Sequence, residues 1–187
     1  MLELKREALF TELVSQMESG SVLISGAPGI GKSWLIGRLL AHLKASGRFV
    51  LPLIAEEYEV ASLEELQRSL GLKAGLESLL ASRDKGVLLI DGLDALRAES
   101  SQRVFRDLVL GILKRAPNVT VVASIRSFDL AESPVFSSLT SFIPGLGKPF
   151  STITVSDARS GEEAKQRIKH FDARPVTRGS NHSSRSA

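Results

Sequence analysis

Residues 26–33, GAPGIGKS, constrain this chain more than any other stretch, because they satisfy G-x-x-x-x-G-K-[ST] in full between an apolar run and a helical pattern. The glycines Gly26, Gly29 and Gly31 allow a backbone curl with its N–H groups turned inward, and the following helix adds the positive end of its dipole. A strand at 21–25, a glycine turn and a helix at 33–46 with Leu35, Ile36, Leu39, Leu40 and Leu43 at helical spacing are the context a phosphate-binding loop needs. Gly26, Ala27, Pro28, Gly29, Ile30, Gly31, Lys32, Ser33 and the adjoining Trp34 therefore form the candidate triphosphate-binding stretch. Lys32 would reach the β- and γ-phosphate oxygens and Ser33 would help hold Mg²⁺. The Trp34 side chain itself reads as packing.

The 187 residues fit one domain with a tail, and 43% hydrophobic with 24% charged residues is the balance of a soluble globular chain. A net charge of +3, with Lys and Arg scattered among acids, gives no basic face and so no strong sign of nucleic acid as a partner. No apolar run approaches the roughly 20 residues that span a bilayer, and the first residues lack a signal-peptide core. With no cysteine, disulfides and thiolate chemistry are excluded. The expectation is a cytoplasmic chain with no membrane partner.

Residues 2–18 read as an amphipathic helix, and 48–54 as a strand whose Pro52 suits an edge position. Ser62 and Glu65 make a capping-box start for two helical pieces parted near Gly71 and Gly75. The continuous apolar runs 87–90 and 119–124 are typical of strands covered on both faces, with a helix over 99–115 between them. A Ser/Pro/Gly-rich loop is expected over 127–150, a fifth strand over 151–155, a short helix over 161–171 and a disordered tail over 174–187. His42, His170 and His182 lie far apart and read as surface residues. Alternating strands and helices predict an α/β fold with a mainly parallel five-stranded sheet between helical layers.

Asp91 follows its apolar strand directly, at the carboxyl edge where open α/β sheets bind ligands. A carboxylate there can hold Mg²⁺ together with Ser33. Asp94 would orient the attacking water or support the metal, or else cap a helix. Arg126, just past the strand 119–124, or the Ser124 hydroxyl, would sense the γ-phosphate, with a surface salt bridge as the alternative for Arg126. The candidate catalytic set is Lys32, Asp91, Asp94 and Arg126.

The chain resembles the nucleotide-binding domain of the STAND class of P-loop ATPases, close to the NACHT and AAA+ groups. The resemblance rests on Lys5, Arg6 and Glu7 at the head of the first helix, GAPGIGKS, the run LLIDGLD over 88–94, and ASIR over 123–126. It implies a three-layer P-loop NTPase with sheet order 5-1-4-3-2 over residues 1–156, the start of a truncated lid over 157–173, and ATP with Mg²⁺ as ligands. It further implies slow hydrolysis in a switch with protein partners or self-assembly, and Arg6 close to adenine. Ala95 stands where relatives often carry a second acid, which weakens the case for efficient hydrolysis. The absence of a guanine-specific N-K-x-D motif favours ATP over GTP. A small-molecule or nucleotide kinase is the alternative, although its arginine-rich lid is missing from 127–150. An oligomeric AAA+ ATPase acting on DNA or protein would need an intersubunit arginine, for which Arg103, Arg106 and Arg115 are candidates.

Overall fold

Five parallel strands in the order β2-β3-β4-β1-β5 set the geometry of everything that follows. The strands are β1 (Val22–Gly26), β2 (Val50–Ile54), β3 (Val87–Asp91), β4 (Thr120–Arg126) and β5 (Ser151–Val155). The helices are α1 (Leu2–Ser19), α2 (Lys32–Ala45), α3 (Leu63–Ser69), α4 (Leu76–Ala81), α5 (Glu99–Arg115) and α6 (Ser127–Glu132). The computed structural model describes residues 2–73, 75–144 and 146–156, and the side chains from residue 6 onward. The lid and tail expected at 157–173 and 174–187 lie outside the described residues.

Side-chain alternation along the strands splits the core in two. Val22, Ile24, Val87, Leu89 and Val122 face α1 and α2, where they meet Leu13, Met17, Leu35, Leu39 and Leu43. Leu23, Leu88, Ile90, Val121 and Ala123 face the other way, onto Leu66, Leu80, Phe105, Leu108 and Ile112 of α3, α4 and α5. Because the three central strands are covered on both faces, they are mostly apolar on both, which is why runs without alternation mark them in the sequence. The edge strands β2 and β5 bury fewer residues, and Pro52 sits in β2, which pairs with β3 alone. An edge strand tolerates a residue with no N–H to give.

Helix boundaries follow local chemistry. The Ser62 hydroxyl accepts the Glu65 N–H at 3.2 Å, and the Glu65 carboxylate accepts the Ala61 N–H at 2.8 Å, so the capping box closes one residue upstream of its usual partner. Gly71, at φ 67°, ends the first helical piece and Gly75 begins the second.

The 127–150 segment departs from the expected loop. It opens with α6, passes a 3-10 turn at Ser137–Leu139, and buries Val135, Phe136, Leu139 and Phe150 against the sheet on the α5 side. Six helical residues are too few for a 3.6-residue period to emerge from a background of Ser and Pro, so the segment reads as irregular in sequence. It is a packed crossover from β4 to β5.

Candidate nucleotide site

Every strand is parallel, so β1, β3 and β4 end at one edge of the sheet and bring residues far apart in sequence to a common line. The pairings place Gly26 level with Arg126, and Ile24 level with Ser124.

The loop after β1 uses its glycines in two ways. Gly29 and Gly31 have φ of 72° and 104°, so they carry the left-handed turns. Gly26 is needed for space: a Cβ there would stand 2.7 Å from the Val155 backbone oxygen on β5 and 3.0 Å from Ile30 Cγ2. Lys32 is the first residue of α2 and is 9% exposed. Its ammonium Nζ donates to the carbonyl oxygens of Gly26 and Ala27, each at 3.0 Å, so a positive charge is held inside the loop. The first turn of α2 contains no acid, which leaves the positive end of the helix dipole without a side-chain counter-charge.

Asp91 closes β3. The buried Ser124 hydroxyl donates to Asp91 Oδ1 at 2.5 Å and accepts the Gly92 N–H at 2.8 Å. With its one proton on Asp91, this hydroxyl is a tie between β3 and β4, and the alternative of a phosphate-sensing Ser124 loses its donor. Gly92, at φ 77°, then turns the chain away from the sheet. Ser124→Ala would leave the buried end of this tie unmade, and the unfolding free energy in a urea titration is expected to fall by about 1–3 kcal/mol.

Asp94 and Arg126 hold each other. Asp94 Oδ1 accepts the Arg126 backbone N–H at 2.9 Å, and Oδ2 forms an ion pair with Arg126 Nε at 2.8 Å. The Asp94 side chain is 8% exposed and that of Arg126 49%. Arg126 is the last residue of β4 rather than a residue beyond it, and Asp94 fixes the point where β4 passes into α6. Beside the pair lies a polar cleft of about 430 Å³ lined by Glu56, Tyr58, Glu59, Asp94, Arg97 and Arg126, which no sequence motif signals.

Trp34 does not pack in the core. It is 41% exposed, on the outward side of α2, with Arg6 Cζ and Arg38 Cζ each 5.3 Å from its ring centroid. Arg38, one turn along, also lies 4.3 Å over Phe10 and forms a two-bond pair with Glu7 at 2.6 Å. That hydrogen-bonded pair holds the Glu7 carboxyl below its usual range. The physical reason for the misreading is simple: Leu35, Ile36 and Leu39 fill the buried stripe, and position 34 falls outside it.

The three arginines on α5 are all engaged, Arg103 with Glu99, Arg106 with Asp107 and Arg115 with Glu77. Since α5 leads into the amino end of β4, Arg115 lies at the opposite edge of the sheet from the loop, and Arg103 is about 18 Å nearer.

No family model matches the chain. It is similar to the signal recognition particle receptor FtsY of Aquifex aeolicus, at 26% identity over 167 residues, covering 86% of this chain and 32% of that protein. Its structure is similar to that of AMPPCP-bound DnaA from Aquifex aeolicus, with TM-score 0.53, 18% identity and coverage of 94% of this chain and 53% of the other. It is similar also to that of the Aeropyrum pernix ORC1 protein in complex with DNA, with TM-score 0.51, 20% identity and coverage of 88% and 49%. The fold is that of a P-loop NTPase. The strand order agrees with the 5-1-4-3-2 arrangement implied by the AAA+ and STAND resemblance. The P-loop fold stands, while STAND or NACHT membership is not specified by these likenesses. The chain spans about half the length of these solved structures and about a third of the curated relative. One expectation is overturned: a structure sharing this P-loop fold holds DNA, so a net charge of +3 does not argue against a nucleic-acid partner. Among the described residues no helix is long and apolar enough to cross a membrane.

Proposed function

We propose that the chain binds ATP with Mg²⁺ at residues 26–34 and hydrolyses it slowly, as a nucleotide-dependent switch. The observation that carries this reading is the enclosed Lys32 ammonium, held among the described residues by two loop carbonyls beneath a helix start without acids. An anion entering the loop exchanges those carbonyls for phosphate oxygens, and the cation and helix dipole both favour it.

The donor set also fits Mg²⁺. Ser33 is exposed on the first turn of α2, Asp91 keeps Oδ2 clear of the Ser124 bond, and among the described residues no cluster of three or more acids, histidines or cysteines could cage a metal unaided. Such a pair suits a cation whose remaining ligands come from phosphates and water. When bound, Mg²⁺ neutralises charge on the β- and γ-oxygens. Ser124 keeps the Asp91 carboxylate in one orientation. Asp94, with both oxygens engaged by Arg126, is not disposed to orient water until that pair opens, which supports slow turnover, as does Ala95.

The packed crossover after β4 supports a switch over a kinase, because a segment anchored by Phe136, Leu139 and Phe150 is poorly suited to closing over an acceptor. A second reading, an oligomeric ATPase acting on DNA, draws on the DNA-bound ORC1 structure. It predicts nucleotide-dependent retention of duplex DNA in a filter-binding assay.

The test is calorimetric titration of ATP with Mg²⁺ alongside phosphate release. Wild type is expected to bind and turn over slowly. Asp91→Asn is expected to keep binding and lose about 100-fold in Mg²⁺-dependent release, a loss at the upper end for an outer-shell metal partner. Full activity in that variant would remove Asp91 from the metal site.

A further inference from the structure

All five strands run the same way, so the segments that lead into them meet at one edge of the sheet, opposite the phosphate loop. Cations scattered along the sequence collect there. Lys44 and Arg48 precede β2, Arg83 and Lys85 precede β3, Lys114 precedes β4 and Lys148 precedes β5, against the acids Glu18 and Asp84. Arg115 at the same edge is neutralised by Glu77. At the other edge the segment after β2 alone carries Glu56, Glu57 and Glu59. A net charge of +3 conceals this polarity.

Among the described residues Lys44, Arg83, Lys85, Lys114 and Lys148 form no ion pair, and all are exposed. Arg83 and Lys85 stand on a braced loop. Asn118 Nδ2 donates to the carbonyls of Ala81 at 3.2 Å and Arg83 at 3.0 Å. Arg48 pairs with Glu18 through Nη1 at 2.5 Å and donates from Nη2 to the Lys85 carbonyl at 3.2 Å. Lys85 is thereby held at φ 50°, and Arg83 Cζ lies 5.1 Å from the Phe49 ring centroid. A loop already fixed loses little freedom when it binds.

We propose that this edge binds the phosphate backbone of a nucleic-acid duplex, without regard to sequence and without need of nucleotide. From β2 to β5 the row spans about 19 Å, at the roughly 4.8 Å spacing of neighbouring strands. A duplex carries one charge per about 1.7 Å of its axis, so phosphates are offered along the whole row. Single strands are held largely by bases stacked on aromatic rings, whereas here Phe49 lies under Arg83 and Phe150 is buried. The helices α2 and α5 reach the edge by their carboxyl ends, so the cations meet phosphates rather than base edges.

Fluorescence anisotropy of a short labelled DNA duplex, with no nucleotide present, tests the site. Wild type is expected to bind, with affinity falling as salt rises across roughly 50–200 mM. Each phosphate contact contributes about 0.9 to the log–log slope, so Arg83→Gln with Lys85→Gln is expected to flatten it by about 2 and to weaken binding at least tenfold. Lys114→Gln, on the last turn of α5, serves if that double variant does not fold, with about half the change in slope. Arg97→Gln removes an exposed cation at the opposite edge and is expected to leave the slope unchanged. Absence of binding by wild type, or an unchanged slope in the folded double variant, overturns the site. An equal loss of slope in Arg97→Gln does so too, since it marks a response to net charge alone. Tighter binding of a single strand of the same length, or of phosphatidylserine vesicles, overturns the choice of a duplex. Binding seen only with ATP overturns the independence from nucleotide. Because the assay contains no ATP, failure of the nucleotide reading leaves its result untouched.

Discussion

Lys32→Ala is expected to lower the affinity for ATP by about 10²–10³-fold, with the fold retained. The ammonium is enclosed by the loop and makes two hydrogen bonds to carbonyls at 3.0 Å, positions that phosphate oxygens would take over. Charge-assisted hydrogen bonds contribute roughly 1.5–3 kcal/mol each, so two of them come to about 3–6 kcal/mol, and the 10²–10³-fold expected is the lower part of that range. The free loop changes in the other direction by less, since the carbonyls of Gly26 and Ala27 lose a donor that water can replace at this partly open site. Calorimetry reads the affinity and circular dichroism checks the fold. Unchanged ATP affinity in a folded variant would remove residues 26–33 from the phosphate site.

Gly26→Ala should have a larger effect on the fold than substitution at either of the other loop glycines. The added methyl stands 2.7 Å from the Val155 backbone oxygen, closer than real Cβ contacts come, and backbone cannot swing aside as a side-chain tip can. Overpacking of this kind costs about 1–3 kcal/mol. The strain falls on the β1–β5 pairing where Gly26 lies level with Val155, and also on the carbonyl that holds Lys32. Gly26→Ala should therefore lower the unfolding midpoint and weaken ATP binding together. At Gly29 and Gly31 no atom lies within 4 Å of an added Cβ, so the penalty there is the left-handed backbone alone, about 1–2 kcal/mol. Thermal unfolding of the three alanine variants, ranked against ATP affinity, checks the order.

These effects follow from features that the sequence exposes to different degrees. The runs at 87–90 and 151–155 and the helix at 99–115 are legible because burial on one or both faces imposes a repeating pattern over many residues. Sheet order is not, since strand neighbours are chosen by packing between distant segments; here it came from resemblance, and the pairings bear it out. In the site, GAPGIGKS and Asp91 are visible as local motifs. The Ser124–Asp91 tie and the Asp94–Arg126 pair join residues 33 and 32 apart, and no local pattern reports such a separation. For Arg126 the residues themselves leave a sensor and an ion-pair partner both open, and the structure pairs it with Asp94. The cleft beside it depends on two acids after β2, Glu56 and Glu59, that look like ordinary surface charge until the sheet sets them beside Asp94.

The chain has one tryptophan, and it stands a single residue beyond Ser33, 41% exposed and flanked by two guanidiniums. Indole emission responds to solvent and to nearby charge, so the unlabelled protein carries its own optical probe at the mouth of the loop. Phosphate entering beneath α2 would alter the field at that ring. Fluorescence can therefore report filling of the loop, with no added dye and no second chromophore of the same kind to confuse the signal.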